Sequence, residues 1–277
     1  MSAGFLLAAD VRLHIVAAAV YAAATLLAVF GAALPNRPLS DWARRLGLAG
    51  LAVHSAGIVS RWLAIGHGPY LTKYENLSSY AWMAVVIFLI LSWRVPRLRI
   101  MQFGIWPVAM LLIGLGVYTG PEVAALPPTF SGIWLVMHVT FYFAAFGTGL
   151  AATVASATYL TRRSVRTPRS GNVADGDILD SWAYRLGGLA FAFWGVGMLT
   201  GSIWAYYSWG SFWNWDPVET WSLITWVMFA LYLHMRRFFG WKGARAAWLL
   251  FVCYGFALMS LFGTSLLTLT QHSEYFK

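Results

Sequence analysis

The residues of this chain best suited to chemistry are aromatic and imidazole rings. Trp204, Trp209, Trp213, Trp215, Trp221 and Trp226 fall within 23 positions, and the stretch WGSFWNWD, Trp209 to Asp216, packs Trp209, Phe212, Trp213 and Trp215 into one short connection. Single tryptophans often anchor membrane helices at headgroup depth, a reading that suits Trp204, Trp221 and Trp226 as well as any other. Four rings in one connection exceed what an anchor needs. Together they offer a flat apolar surface with weakly polar edges, suited to a planar aromatic ligand. Imidazole is the usual axial ligand of haem iron, and two of them on opposite faces give a six-coordinate site. His138 and His272 flank the tryptophan-rich loop in sequence. A lone membrane histidine can also merely bond a neighbouring helix, but a shared side and a shared relation to the loop favour the ligand reading for this pair.

Two carboxylates beside these rings, Asp216 and Glu219, first suggest an acid and a base. The competing reading is stronger: Asp216 at N-cap, Pro217 at N1 and Glu219 at N3 spell a capping box that starts a helix. His234 lies about four turns further along that helix, and intramembrane ionisable groups default to a functional reading. His54 falls at similar depth, with nothing else to mark it. Arg61 and Lys73 are the cations among the outer loops able to pair with haem propionates. The lone Cys253 sits in an apolar run, where no disulfide, CxxC pair or zinc site can be assembled from this chain alone.

These rings need elements to hold them, and the composition names the solvent of those elements. With 60% hydrophobic and 10% charged residues, the chain departs far from soluble usage, where about a quarter of residues are charged. The expectation is an all-α polytopic membrane protein in a single membrane domain, 1–277, because lipid leaves open strand edges unsatisfied. Eight segments approach the roughly 20 apolar residues a span requires: about 12–34, 47–66, 76–93, 101–119, 134–160, 186–207, 219–236 and 246–268. The first is read as a retained helix, since no basic n-region precedes it. The net charge of +9 sits in short clusters rather than on one polar face, which argues for topology and against nucleic acid. Fifteen of the nineteen Lys and Arg lie in alternate connections, around Arg37–Arg45, Arg94–Arg99, Arg162–Arg185 and Arg236–Arg245. By the positive-inside rule, those connections face the cytoplasm of an inner membrane, while the tryptophan-rich loop and both termini face outward. The 162–185 connection, with TPRSGNVADGD, reads as a flexible linker.

The long stretch WGSFWNWDPVETWSLITWVMFALYLHMR, Trp209 to Arg236, closely resembles the signature of the WWD haem-handling family of cytochrome c biogenesis, in its CcsA/ResC branch. The GHGP…YE segment before the third span, the helix carrying His138 and the terminal His272-Ser273 match further landmarks, and eight spans agree with this branch. The resemblance implies transport of haem b across the membrane and its presentation to the CxxCH cysteines of apocytochrome c, the haem being transferred rather than permanent. It implies His138 and His272 as the outer iron ligands over a loop, 209–219, formed by Trp209, Trp213, Trp215 and Asp216. It implies His234 as the ligand of an inner site completed by a CcsB/ResB-like partner; His54 is the alternative within this chain. It further implies the haem-binding component of a holocytochrome c synthase. Other readings are delivery of haem to a chaperone, regulation of haem synthesis, a fixed b-type electron-transfer subunit, and a solute transporter. Against the last, transporters place unusual residues near the midplane, and this chain concentrates them at one face.

Overall fold

The computed structural model describes residues 2–34, 37–164 and 173–263. Among them are eight α-helices and no strand: α1 (Ala3–Ala33), α2 (Arg37–Ile65), α3 (Lys73–Arg94), α4 (Gln102–Thr119), α5 (Ile133–Ser164), α6 (Val173–Trp209), α7 (Pro217–Arg237) and α8 (Ala244–Leu258). A 3-10 turn, Pro96–Met101, leads into α4, and a π turn, Met259–Gly263, follows α8. Seven of these helices, α4 taken together with the 3-10 turn before it and α8 with the π turn after it, are long and apolar enough to cross a membrane. The eighth, α7, falls short because Glu219, Thr220, Ser222, Thr225 and His234 interrupt its apolar residues. The protein is thus an all-α polytopic membrane protein.

Three helices begin well before the expected spans: α1 at residue 3 rather than 12, α2 at 37 rather than 47, and α6 at 173 rather than 186. Hydropathy registers only the lipid-crossing part of a helix. The polar turns that carry Asp10 and Arg12, or Asp177 and Asp180, satisfy their backbone by the same i to i−4 bonds and simply continue it. Of the expected 162–185 linker, residues 162–164 belong to α5 and 173–185 to α6, and residues 165–172 lie outside the described residues.

The helices cluster into two compact units, α1–α4 in residues 1–126 and α5–α8 from Pro127 onward. In the first unit, buried positions on α1 recur at Asp10, His14, Ala17, Tyr21, Ala24 and Ala28, and on α2 at Ala43, Gly47, Gly50, His54, Gly57 and Arg61. Alternating steps of three and four place each set on one seam. A Cβ on Gly50 would lie 2.7 Å from the Tyr21 ring, and one on Gly57 would lie 2.7 Å from the His14 imidazole. The register descends along α2 as it ascends along α1, so the two helices run antiparallel with small residues opposite large ones, the packing that lipid favours. Trp106 of α4 stacks on Tyr21 at 5.9 Å.

In the second unit, α5 and α6 meet the same way. Cβ atoms on Gly197 and Gly201 of α6 would run into Tyr142 and His138 of α5. At the far end, Asp180 near the start of α6 accepts from Arg236 of α7 at 2.7 Å and from the Gly243 amide at 3.0 Å. Cys253 is buried and donates to the Met228 carbonyl at 3.2 Å, as a packing residue would.

Candidate functional site

The tryptophan-rich loop is built from two helix ends. Trp209 closes α6, two residues later than expected, and Gly210 follows with φ +77, a left-handed conformation open to glycine without strain. Trp215 adopts φ +56 without being glycine, at a cost of about 1 kcal/mol or more that its surroundings must hold. They do so through the cap of α7. Glu219 accepts from the amides of Asn214 at 2.8 Å and Asp216 at 3.3 Å, while Asp216 accepts from Val218 at 2.8 Å. Ser202 of α6 donates to the Phe212 carbonyl at 2.7 Å. The capping box read from the sequence is present, and both carboxylates are engaged by backbone. Asp216→Ala should therefore lower stability by about 1 kcal/mol and Asp216→Asn by much less. Thermal unfolding in detergent measures this, and equal midpoints for all three proteins would refute the capping role.

The rings of the loop interlock and do not form the single flat surface expected. Trp213 and Trp215 meet edge to face at 5.8 Å and 85°, Trp204 and Trp209 at 4.9 Å and 67°. Phe212 stacks on Tyr206 at 4.3 Å. Trp215 remains 69% exposed, and the Trp213 indole N–H is buried with no hydrogen-bond acceptor among the described residues. Edge-to-face contact stabilises tryptophans against each other through their quadrupoles, which leaves Trp215 and Phe212 as the rings offered outward.

His138, one turn into α5, lies against this assembly. Its Nδ1 is 2.8 Å from the Gly197 carbonyl. A carbonyl only accepts, so Nδ1 carries the proton, and in the neutral ring Nε2 is then the lone-pair nitrogen that iron ligation requires. Gly201 provides the notch, since a Cβ there would overlap the imidazole. Trp204 lies nearly parallel to His138 at 6.1 Å and 21°. It is buried and donates Nε1–H to the Thr129 carbonyl at 2.8 Å, so it packs inside the unit beside His138. Nothing in the sequence reading marks Gly197 and Gly201, although the Gly197-x-x-x-Gly201 spacing signals a face of close helix approach.

His234 stands in the last turn of α7, at the opposite end of this unit, seventeen residues from Pro217, or about 26 Å at 1.5 Å per residue. It is exposed, packs on Phe238 at 4.7 Å, and makes no side-chain hydrogen bond among the described residues. A cleft of about 550 Å³ opens there, lined by Tyr184, Arg185, Phe191, Leu233, His234 and Arg237. Arg185 rests over Trp182 and Arg237 over Phe238, and neither meets a carboxylate among the described residues.

Other candidates fare differently. His272 lies outside the described residues. His54 is fully enclosed, with Nε2 2.9 Å from Ser78 Oγ, and presents no face to a macrocycle. Arg61 is 1% exposed and binds Glu75 with two nitrogens, at 3.0 and 2.8 Å, so it cannot serve haem propionates. His14, which the sequence reading passed over, also reaches Ser78, at 2.7 Å.

Fold and site together define an all-helical polytopic membrane protein with a capped, tryptophan-rich loop beside an oriented histidine. The chain belongs to the cytochrome c assembly protein family, whose model matches residues 70–272, and the resemblance read from the loop is confirmed. It is 30% identical to cytochrome c biogenesis protein CcsA of Synechococcus elongatus over 82% of this chain and 86% of that one. It is 33% identical to the Chlamydomonas reinhardtii protein of the same name over 69% of this chain and 56% of that one. Among solved structures, cytochrome c heme lyase CcmF superposes with TM-score 0.71 at 18% identity, over 95% of this chain and 47% of that one. This chain thus spans about half of CcmF, and the likeness is one of fold.

Proposed function

We propose that this protein handles haem b during cytochrome c biogenesis, holding it transiently and presenting it to apocytochrome c. The observation that carries the reading is the setting of His138, an imidazole with its tautomer fixed by Gly197 and seated in a glycine notch beside the loop. His138 and His272 are the two axial ligands, and Trp209, Trp213, Trp215 and the Asp216 cap form the surface against which the macrocycle rests. Haem supplies vinyl groups, to which the CxxCH thiols add. The chain supplies position, iron ligation and exclusion of competing ligands. The charge asymmetry supports an inner-membrane location with this loop and both termini on the outer face.

His234 ligates haem at an inner site, with Arg185 and Arg237 receiving the two propionates by charge-assisted bonds. The exposure of His234 suits a site completed by a CcsB/ResB-like partner. The test is an absorption spectrum and pyridine haemochrome assay on protein purified from haem-replete cells. A six-coordinate bis-imidazole spectrum at substoichiometric haem is expected. In the His138→Ala background, Arg185→Ala and Arg237→Ala should each lower retained haem roughly tenfold, the loss of one charge-assisted hydrogen bond. A colourless wild type overturns the proposal, and stoichiometric haem that no apocytochrome can remove points instead to a fixed electron-transfer subunit.

A further inference from the structure

The first unit encloses a set of polar side chains that haem handling does not use. Asp10 and His14 on α1, His54 and Arg61 on α2, and Glu75 and Ser78 on α3 are each at most 3% exposed. Tyr74 OH donates to Asp10 Oδ1 at 2.8 Å. His14 Nδ1 lies 2.9 Å from both the Asp10 carbonyl and Asp10 Oδ1. Arg61 pairs with Glu75 at 2.8 Å and approaches Asp10 Oδ2 at 3.6 Å. Glu75 also accepts the Leu71 amide at 2.8 Å, and Arg61 further donates to the Pro121 and Glu122 carbonyls.

Asp10 and Glu75 carry two negative charges and Arg61 one positive, so with both histidines neutral the cluster is net negative inside a membrane unit. Uncompensated buried charge is costly there, and binding one proton removes it. Besides the carboxylates themselves, of which Asp10 Oδ2 is buried without a hydrogen bond among the described residues, the acceptors for that proton are His14 and His54. Their Nε2 atoms lie 2.7 and 2.9 Å from the same hydroxyl, Ser78 Oγ. A serine hydroxyl has one hydrogen to give. It donates to one imidazole and accepts from the other, so the two Nε2 atoms are always in opposite states. Among the described residues, Tyr74 of α3 also faces the pair, with its ring 5.2 Å from His14. Tyr21 of α1 lies with its ring 6.1 Å from His54, and α4 contributes Trp106.

We propose that Asp10, His14, Ser78 and His54 form an intramembrane proton relay that holds one exchangeable proton. With the proton on His14, its Nδ1–H faces Asp10 and its Nε2–H donates to Ser78, whose O–H donates to His54 Nε2. Transfer breaks the His14 Nε2–H bond as a bond forms to Ser78 Oγ, and breaks the Ser78 O–H bond as one forms to His54 Nε2. The charge has then moved from one imidazole to the other, Ser78 is again a neutral hydroxyl, and no oxidant or reductant takes part. Asp10 and Arg61 anchor one end of the relay near the α2–α3 connection. His54 lies eleven residues before the end of α2, about 16 Å deeper, or halfway through a hydrocarbon core about 30 Å thick. The outlet is His54 Nδ1, which is buried and unbonded among the described residues. Gly57 is required for the arrangement, since a Cβ there would press on the His14 ring.

The test is nitrogen NMR of the full chain, labelled with ¹⁵N-histidine and reconstituted in lipid nanodiscs, titrated across neutral pH. Wild type should show His14 and His54 ring nitrogens shifting together through one shared titration. Ser78→Thr, which keeps the hydroxyl, should preserve it. Ser78→Ala should uncouple the two, so that the His54 nitrogens no longer follow those of His14. The proposal is overturned if the two histidines titrate independently in wild type, if both stay unchanged, or if Ser78→Ala leaves their coupling intact, as through-space repulsion would. Should Ser78→Ala not fold, the wild-type titration decides alone. The experiment needs no haem, so its outcome is separate from that of the haem proposal.

Discussion

The His138→Ala chain, purified from haem-replete cells, should lose the bis-imidazole spectrum of the outer site, with haem bound there falling at least tenfold. Haem dependent on His234 should remain. The expectation rests on the second contact of the ring. A ligating imidazole is most effective when its other nitrogen is bonded, since this sets tautomer and orientation, and Gly197 provides that bond at 2.8 Å. Gly201→Ala supplies an independent lever, because the new Cβ would overlap the imidazole and force it from its notch. It should lower haem in the same direction as His138→Ala while leaving the ligand in place. Added imidazole should restore part of the spectrum to His138→Gly. An unchanged spectrum in His138→Ala would show that iron is held elsewhere, and the assignment of His138 would fall.

Arg61→Ala should destabilise the first unit by about 3–5 kcal/mol, the usual effect of removing one partner from a buried ion pair. Arg61 is 1% exposed and bonds Glu75 twice, with Asp10 Oδ2 nearby at 3.6 Å. Its removal leaves two carboxylates with only the one proton shared by His14 and His54 to balance them. Membrane accumulation should drop sharply, and the unfolding midpoint of whatever is recovered should fall. Arg61→Lys should not rescue fully, because an ammonium cannot reproduce the two-nitrogen contact with Glu75. Arg61→Met combined with Glu75→Gln should recover much of the loss, since no unpaired charge remains on that side. An Arg61→Ala protein as stable as wild type would remove the basis for treating the cluster as an ion network.

The two predictions differ in how far the sequence anticipated them. His138 stands out in sequence as a candidate ligand, because the charge pattern puts it on the same side of the membrane as the loop. Arg61 stands out as well, but for another partner: in sequence it is an outer-loop cation suited to haem propionates, while in the structure its acceptors are Glu75 and the Pro121 and Glu122 carbonyls, with Asp10 3.6 Å away. Asp10 falls outside the first expected span, 12–34, since a hydropathy window ends where charges begin. The helix runs through it, and that extension carries the carboxylate into the unit. His14 went unnoticed for a related reason. Its partner Ser78 is 64 residues away, and nothing local marks either residue as one of a pair.

What the sequence determined alone is what depends on neighbours along the chain. Apolar run length specified the existence of the helices, and the Asp216-Pro217-Glu219 spacing specified where α7 starts, because a cap is satisfied within four residues. The tryptophan-rich loop identified the family for the same reason, being one contiguous stretch. Tertiary structure alone decided which side chains meet across helices. It turned the tryptophans edge to face, seated His138 in the Gly197–Gly201 notch, opened a cleft with two arginines beside His234, and brought two histidines onto one serine. Those contacts depend on how helices cross and on which glycines let them approach, and the register between two helices is set by packing on both at once.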